Sequence, residues 1–161
     1  MKLRNTIVSF LVALAAIAAP AAGFAAEQKM ADAALMEPVK SVYDHYLAIQ
    51  KGLAKDSLKG VEENASSIAK AVRGDDTKML PLNVAKQAET LAKAPDLKTA
   101  REAFKPLSAS LVKYLADTKA GKGVYHEAYC PMAKASWLQT EKEVRNPYYG
   151  KSMLDCGTLK N

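Results

Sequence analysis

The residues best suited to chemistry are concentrated near the C-terminal end of the chain. Between positions 126 and 156 lie one imidazole, two thiols and two thioethers, supplied by His126, Cys130, Met132, Met153 and Cys156. Thiolate and thioether sulfurs are soft donors that select monovalent copper or silver over magnesium, calcium or manganese. Zinc accepts cysteine and histidine, but methionine is a poor zinc ligand. We therefore expect these residues to form a site for Cu(I) or Ag(I), with no other cofactor.

The spacing of these donors indicates how they can meet. Cys130 and Met132 are separated by one proline, and side chains two apart in an extended segment point to the same side. Met153 and Cys156 are three residues apart, so one helical turn places both on one face. His126 lies four residues before Cys130, which is also within one helical turn. A site needs only two to four of these donors.

The two cysteines also permit an interpretation without metal. The run Asn146-Pro-Tyr-Tyr-Gly150 is a strong turn signal that can fold the second pair of sulfurs back on the first. A Cys130–Cys156 disulfide would then close a loop of about 27 residues and contribute about 3–4 kcal/mol. Oxidation would remove the thiolates that a metal needs. Two alternatives therefore stay open: a metal site, or a disulfide-stapled helical protein-interaction module with no metal.

The N-terminal end of the sequence has the features of a secretory signal peptide. Lys2 and Arg4 precede an apolar run from position 7 to 22, and small residues follow at positions 23 and 25. We expect residues 1–25 to be cleaved on export to the periplasm, with no membrane association of the mature chain. Both cysteines would then mature in an oxidising compartment.

The remaining chain is predicted to be one domain after a short flexible segment. Residues 26–36 form that segment, and residues 37–161 form a single helical domain, with the bundle at 37–120 and the motif-bearing tail at 121–161. The formal net charge is +6, but the lysines alternate with acidic residues as on a solvated helix surface. Nucleic acid is therefore not an expected partner. No nucleophile–base pair with an orienting third group is readable, so the chain is not expected to be an enzyme.

Four segments of the chain repeat apolar residues at helical spacing. The first helix is predicted to start at Glu37-Pro38, with proline at the first helical position, the second to be capped by Asp56-Ser57, and the third to run over about 82–93. The fourth is predicted to be capped by Asp96 and, because of Pro106, to be kinked near Phe104. Short connections between helices of similar length favour an all-α, up-down-up-down antiparallel four-helix bundle, with an irregular Cys/Met-containing C-terminal tail packed on it.

The tail contains short motifs in a fixed order. They read Tyr129-Cys130-Pro131-Met132-Ala133, Trp137-Leu138, Asn146-Pro147-Tyr148-Tyr149-Gly150 and Met153-Leu154-x-Cys156-Gly157. Together they resemble a bacterial family of exported helical proteins of unknown function, over about residues 38–157. That domain also occurs attached to periplasmic adaptor subunits of copper/silver efflux systems of the resistance-nodulation-division type. His126 is not part of the family motif, and the spacer at 133–136 is shorter than in many members.

The resemblance implies a role in heavy-metal handling and no assigned activity. Its Cys-Pro-Met and Met-x-x-Cys-Gly elements fall on Cys130, Met132, Met153 and Cys156. With the soft-donor argument, it leads to the expectation of a periplasmic protein that buffers Cu(I) or Ag(I) or delivers it to an efflux adaptor. The expected partners are therefore the metal ion and that adaptor.

Overall fold

The computed structural model describes residues 35–160, in which four helices are followed by a small antiparallel sheet. The expected signal peptide at 1–25 and most of the segment 26–36 lie outside the described residues. The helices are α1 (Val39–Ala54), α2 (Val61–Arg73), α3 (Leu82–Ala92) and α4 (Leu97–Thr118). The strands are β1 (His126–Cys130), β2 (Ala135–Gln139) and β3 (Thr158–Leu159), with one 3-10 turn at Gly150–Ser152. Within these residues no helix combines the length and the hydropathy needed to cross a bilayer.

The two predicted side-chain caps, at α2 and α4, have different outcomes. The Asp96 carboxylate accepts the Thr99 N–H at 2.7 Å and caps α4, as predicted. The predicted cap of α2 was wrong. That helix begins after Gly60, which has a left-handed φ of 79°, and the Asp56 carboxylate instead pairs with Arg101. A distant arginine thus outcompetes the local capping role of this aspartate.

Successive helices pack on one another along the chain, and α4 also contacts β2. The core stripes are the ones that the helical period predicted, with Tyr43, Ile68 and Leu107 fully buried. Helix α1 reaches α4 through aromatic side chains, since the Tyr46 ring stacks on Phe104 with 5.0 Å between centroids. Helix α4 is continuous through Pro106. The up-down-up-down topology stays a prediction.

The segment after α4 contains three short strands, so the all-α prediction was wrong in this respect. Strands β1 and β2 form an antiparallel hairpin, and β3 pairs with the other edge of β1, in the order β2-β1-β3. The reason lies in the alternation of burial along β1, where Ala128 and Cys130 are buried and Tyr129 between them is partly exposed. This period of two is a strand signal. It is a period of burial in the folded chain, because residues 126–130 (His-Glu-Ala-Tyr-Cys) do not alternate between polar and apolar types in the sequence.

The outer edge of β2 is satisfied by side chains of the helices. The Leu138 N–H donates to the Tyr46 hydroxyl at 3.0 Å, and the Ser108 hydroxyl donates to the Ser136 carbonyl at 3.0 Å. The two hydroxyls lie 2.6 Å apart, and because Ser108 already donates to Ser136, Tyr46 is the donor between them. This hydrogen-bond relay through Tyr46 and Ser108 gives partners to backbone groups that an edge strand would otherwise leave unpaired. It also fixes the sheet on α1 and α4.

Candidate functional site: a thiol pair at the sheet

The structure brings the two cysteines together. The Sγ atoms of Cys130 and Cys156 lie 3.1 Å apart, although 26 positions separate them in the sequence. Both are free thiols in this structure. Cys130 has no exposed surface, whereas Cys156 retains partial exposure. The predicted return of the second sulfur pair to the first is therefore confirmed for the two thiols.

Glycine at position 157 lets the Cys156 segment approach the hairpin closely. Gly157 has a φ of 145°, and a Cβ built there would lie 2.8 Å from the Trp137 ring and 3.0 Å from the Tyr129 carbonyl oxygen. Strand β3 pairs with β1 directly after it, with Thr158 opposite Tyr129. The Cys-Gly element of the tail thus has a steric explanation, because a larger residue would push Cys156 away from Cys130.

Asn146 ties the turn at 146–150 to the thiol pair. Its side-chain oxygen accepts the backbone N–H of Tyr148 at 2.8 Å, while its amide donates to the Cys156 carbonyl at 2.7 Å. Its own N–H donates to the Leu154 carbonyl at 2.7 Å. Asn146 is fully buried, and these bonds satisfy both ends of its amide. The predicted turn therefore exists, and its asparagine also clamps the segment that carries Cys156.

Arg101 anchors the same turn to the helices. Its guanidinium donates to the Pro147 carbonyl at 3.0 Å, to the Leu53 carbonyl at 3.1 Å and to the Asp56 carboxylate at 2.5 Å. This hydrogen bond to Arg101 is the main reason why the pKa of Asp56 lies below its usual range. Gly150 packs against this ion pair with a positive φ, and a Cβ there would collide with both side chains.

The surroundings of the two thiols shift their pKa values in opposite directions. Burial acts to raise the pKa of the Cys130 thiol, but hydrogen bonds, led by those from the Ala133 N–H and the Cys156 thiol, outweigh it. The pKa of Cys130 therefore lies below its ordinary value, and the Asn146 amide is a further donor. The hydrogen bond to Cys130 in turn raises the pKa of Cys156, and burial acts in the same direction. Of the two cysteines, Cys130 is therefore the one whose surroundings favour ionisation, with the Cys156 thiol as one of its hydrogen-bond donors.

The other three predicted donors, Met132, Met153 and His126, lie in different settings around this pair. The extended segment ends at Cys130, and residues 131–134 form the hairpin turn, so Met132 does not share the buried side of Cys130 and is 61% exposed. Met153 is partly exposed and joins Cys156 through a turn in which its carbonyl accepts the Cys156 N–H at 3.1 Å. His126 lies at the opposite end of β1. Four residues of strand separate it from Cys130 by about 13 Å, so the expected helical turn between them was wrong.

The donor set restricts which ions can fit. Between residues 35 and 160 no cluster of three or more His, Cys, Asp and Glu side chains is placed to hold a metal. A structural zinc site normally needs four such ligands. Two thiolates, with thioethers within three residues of each, are a donor set for a soft monovalent ion. The residues present therefore fit Cu(I) or Ag(I) better than they fit zinc.

Residues 42–123 match a family described as protein of unknown function (DUF3347), which amounts to half of the 161-residue chain. The chain belongs to this family. No curated protein and no solved structure matches it. The part matched to DUF3347 runs from within α1 to just beyond α4 and ends before β1. Both cysteines therefore lie beyond the matched part, and the association of the tail motif with efflux adaptors stays a prediction.

Several residues that shape the site were not singled out from the sequence. Gln139 is fully buried and receives the N–H of the Trp137 ring at 2.9 Å, while its amide donates to the Glu143 carbonyl at 2.6 Å. It holds the loop that leads to Asn146. Ser108 and Arg101 lie on α4 and donate hydrogen bonds to backbone carbonyls of the tail. The only sequence signal for these roles was a polar residue within an apolar stripe, as Ser108 is in α4.

Proposed function

We propose that this protein binds one soft monovalent metal ion, Cu(I) or Ag(I), between the Cys130 and Cys156 sulfurs, and buffers it or delivers it to an efflux system in the periplasm. The observation that carries the proposal is the approach of the two Sγ atoms to 3.1 Å. Thiolates select Cu(I) among first-row metals. The hydrogen bonds to Cys130 favour its thiolate, which is the form that a metal binds.

In this proposal the methionines are secondary donors. Met132 and Met153 each lie within three residues of one cysteine. After a change in side-chain rotamer, a thioether sulfur can bind the ion as a third ligand beside the two thiolates. Met132 is 61% exposed, so it is available both to the bound ion and to an incoming partner. His126 has no role in the site, because the length of β1 separates it from Cys130.

The test is a titration of the reduced protein with Cu(I) against a chromophoric chelator. We expect one Cu(I) per chain, with an affinity that falls more than about 100-fold in Cys130→Ser and in Cys156→Ser, since losing even an outer-shell partner typically costs 10–100-fold. Met132→Leu should weaken binding by about tenfold. Met36→Leu is its matched control, because Met36 is similarly exposed at 72%. Unchanged competition in both cysteine variants would refute the proposal.

The second candidate is a helical interaction module stapled by a Cys130–Cys156 disulfide, with no metal. The same 3.1 Å approach supports it, and the bridge would pin the sheet to the turn at 146–150. Thiol counting on protein isolated from the periplasm without reductant separates the two candidates. Fully oxidised cysteines and no retained copper would favour the module. Free thiols with about one copper or silver ion per chain would favour metal binding.

A further inference from the structure

The two sulfurs of the pair differ in how they face the solvent. Cys130 has no exposed surface, because it lies on the inner side of β1 beside the buried Ala128. Cys156 is partly exposed, in the turn that follows the 3-10 segment and precedes β3. A reagent in solution can therefore reach the pair only from the Cys156 side.

Thiol–disulfide exchange has a strict geometry, so the difference in exposure between the two sulfurs decides which of them an external thiol can attack. The incoming thiolate attacks one sulfur along the extension of the S–S bond, and the other sulfur leaves. Attack on Cys130 would require a reagent to reach its sulfur directly, and Cys130 has no exposed surface. Attack on Cys156 meets no such obstacle.

We propose that the Cys130–Cys156 pair is an exchangeable thiol–disulfide couple in which low-molecular-weight thiols and disulfides react only at Cys156, while Cys130 is the internal partner. In reduction, an external thiolate forms a bond to the Cys156 sulfur, the Cys130–Cys156 bond breaks, and its electron pair leaves on Cys130. A second external thiol then displaces the first from Cys156. The products are the dithiol protein and one external disulfide. In oxidation the same steps run in reverse, with an external disulfide as the oxidant.

The environment of Cys130 suits a sulfur that departs with the electron pair. The Ala133 N–H points at its Sγ from 3.4 Å, and the Cys156 sulfur lies at 3.1 Å. Backbone N–H donors of this kind stabilise a thiolate without any movement of the chain. The Cys-Pro-Met-Ala sequence supplies this donor because the hairpin turn at 131–134 folds the chain back over the sulfur.

The test measures the reaction of metal-free, reduced protein with an aromatic disulfide that releases a coloured thiolate. In Cys130→Ser the remaining Cys156 should react at least about ten times faster than Cys130 does in Cys156→Ser. In denaturing urea, where access is equal, the two rates should become similar. The wild-type protein should release two coloured thiolates per chain, because Cys130 displaces the one held on Cys156.

A second measurement needs no substitution. Wild-type protein is treated with less than one equivalent of iodoacetamide, and the alkylated peptides are counted by mass spectrometry. Alkylation mainly at Cys156 supports the proposal. Equal labelling, preferential labelling of Cys130, or native rates that do not differ between the single-cysteine variants would overturn it. Because no metal is present, failure here leaves the copper titration unaffected, and failure of copper binding leaves this exchange unaffected.

Discussion

Replacing Tyr46 with phenylalanine should weaken the attachment of the sheet to the helices without disturbing the aromatic core. The stacking of the Tyr46 ring on Phe104 survives the change, since the ring centroids lie 5.0 Å apart and the hydroxyl is not involved. The change removes the Tyr46 hydroxyl, which accepts the Leu138 N–H at 3.0 Å. Leu138 is only 3% exposed, so water cannot replace this acceptor. Ser108 keeps its bond to the Ser136 carbonyl. A buried donor left without a partner costs about 1–3 kcal/mol, so we expect a loss of about 2 kcal/mol.

Equilibrium unfolding in urea measures this loss. With a slope of about 2 kcal/mol per molar urea, the transition midpoint should fall by about 1 M. Tyr149→Phe is the control, because Tyr149 packs against the core and its hydroxyl makes no hydrogen bond to any residue in 35–160. A loss below about 0.5 kcal/mol in Tyr46→Phe, or one equal to the control, would show that the relay does not hold β2 in place.

Two further predictions concern the thiol pair and the buried tyrosines. Gly157→Ala should slow formation of the Cys130–Cys156 disulfide and lower the free energy of unfolding in urea by about 1–3 kcal/mol. Gly123→Ala is the control, because Gly123 also has a positive φ but has open space around it, and it should leave the oxidation rate unchanged. Equal oxidation rates in the two variants would contradict the steric role of Gly157. Burial raises the pKa of Tyr43, Tyr46 and Tyr148 above the ordinary value. Above about pH 10 these tyrosines ionise in the unfolded chain but not in the folded one, so the free energy of unfolding should fall by up to about 1.4 kcal/mol per pH unit for each tyrosine. Below about pH 10 their contribution to stability is complete. A urea midpoint that does not fall between about pH 9 and pH 11 would refute this.

The helical part of the fold was predictable because its signals are local. Apolar residues at three- and four-residue steps predicted the buried faces, and Asp96 predicted the start of α4. The third helix was predicted to within about a residue of its observed range, Leu82–Ala92. The error at α2 came from Asp56, whose side chain is taken by Arg101, 45 positions away. No local pattern reveals that competition.

The sheet and the site were predictable only in part. The residue types and the turn at 146–150 indicated that the two cysteines meet, and they do. The same reasoning placed Met132 and His126 with them, because it assumed local conformations that the hairpin does not adopt. Met132 falls in the turn, and His126 falls at the far end of a strand. A strand of five residues carries too little periodicity to compete with a donor-spacing argument.

The sequence by itself determined which soft-donor residues the tail carries and where the helices before it lie, because both depend on residues within a few positions of one another. Only the tertiary structure decided that Cys130 is enclosed while Cys156 keeps partial exposure, and that Tyr46, Ser108 and Arg101 hold the tail in place. These contacts join residues 28 to 92 positions apart. They form only once packing of the whole chain has balanced the entropy of closing such long loops.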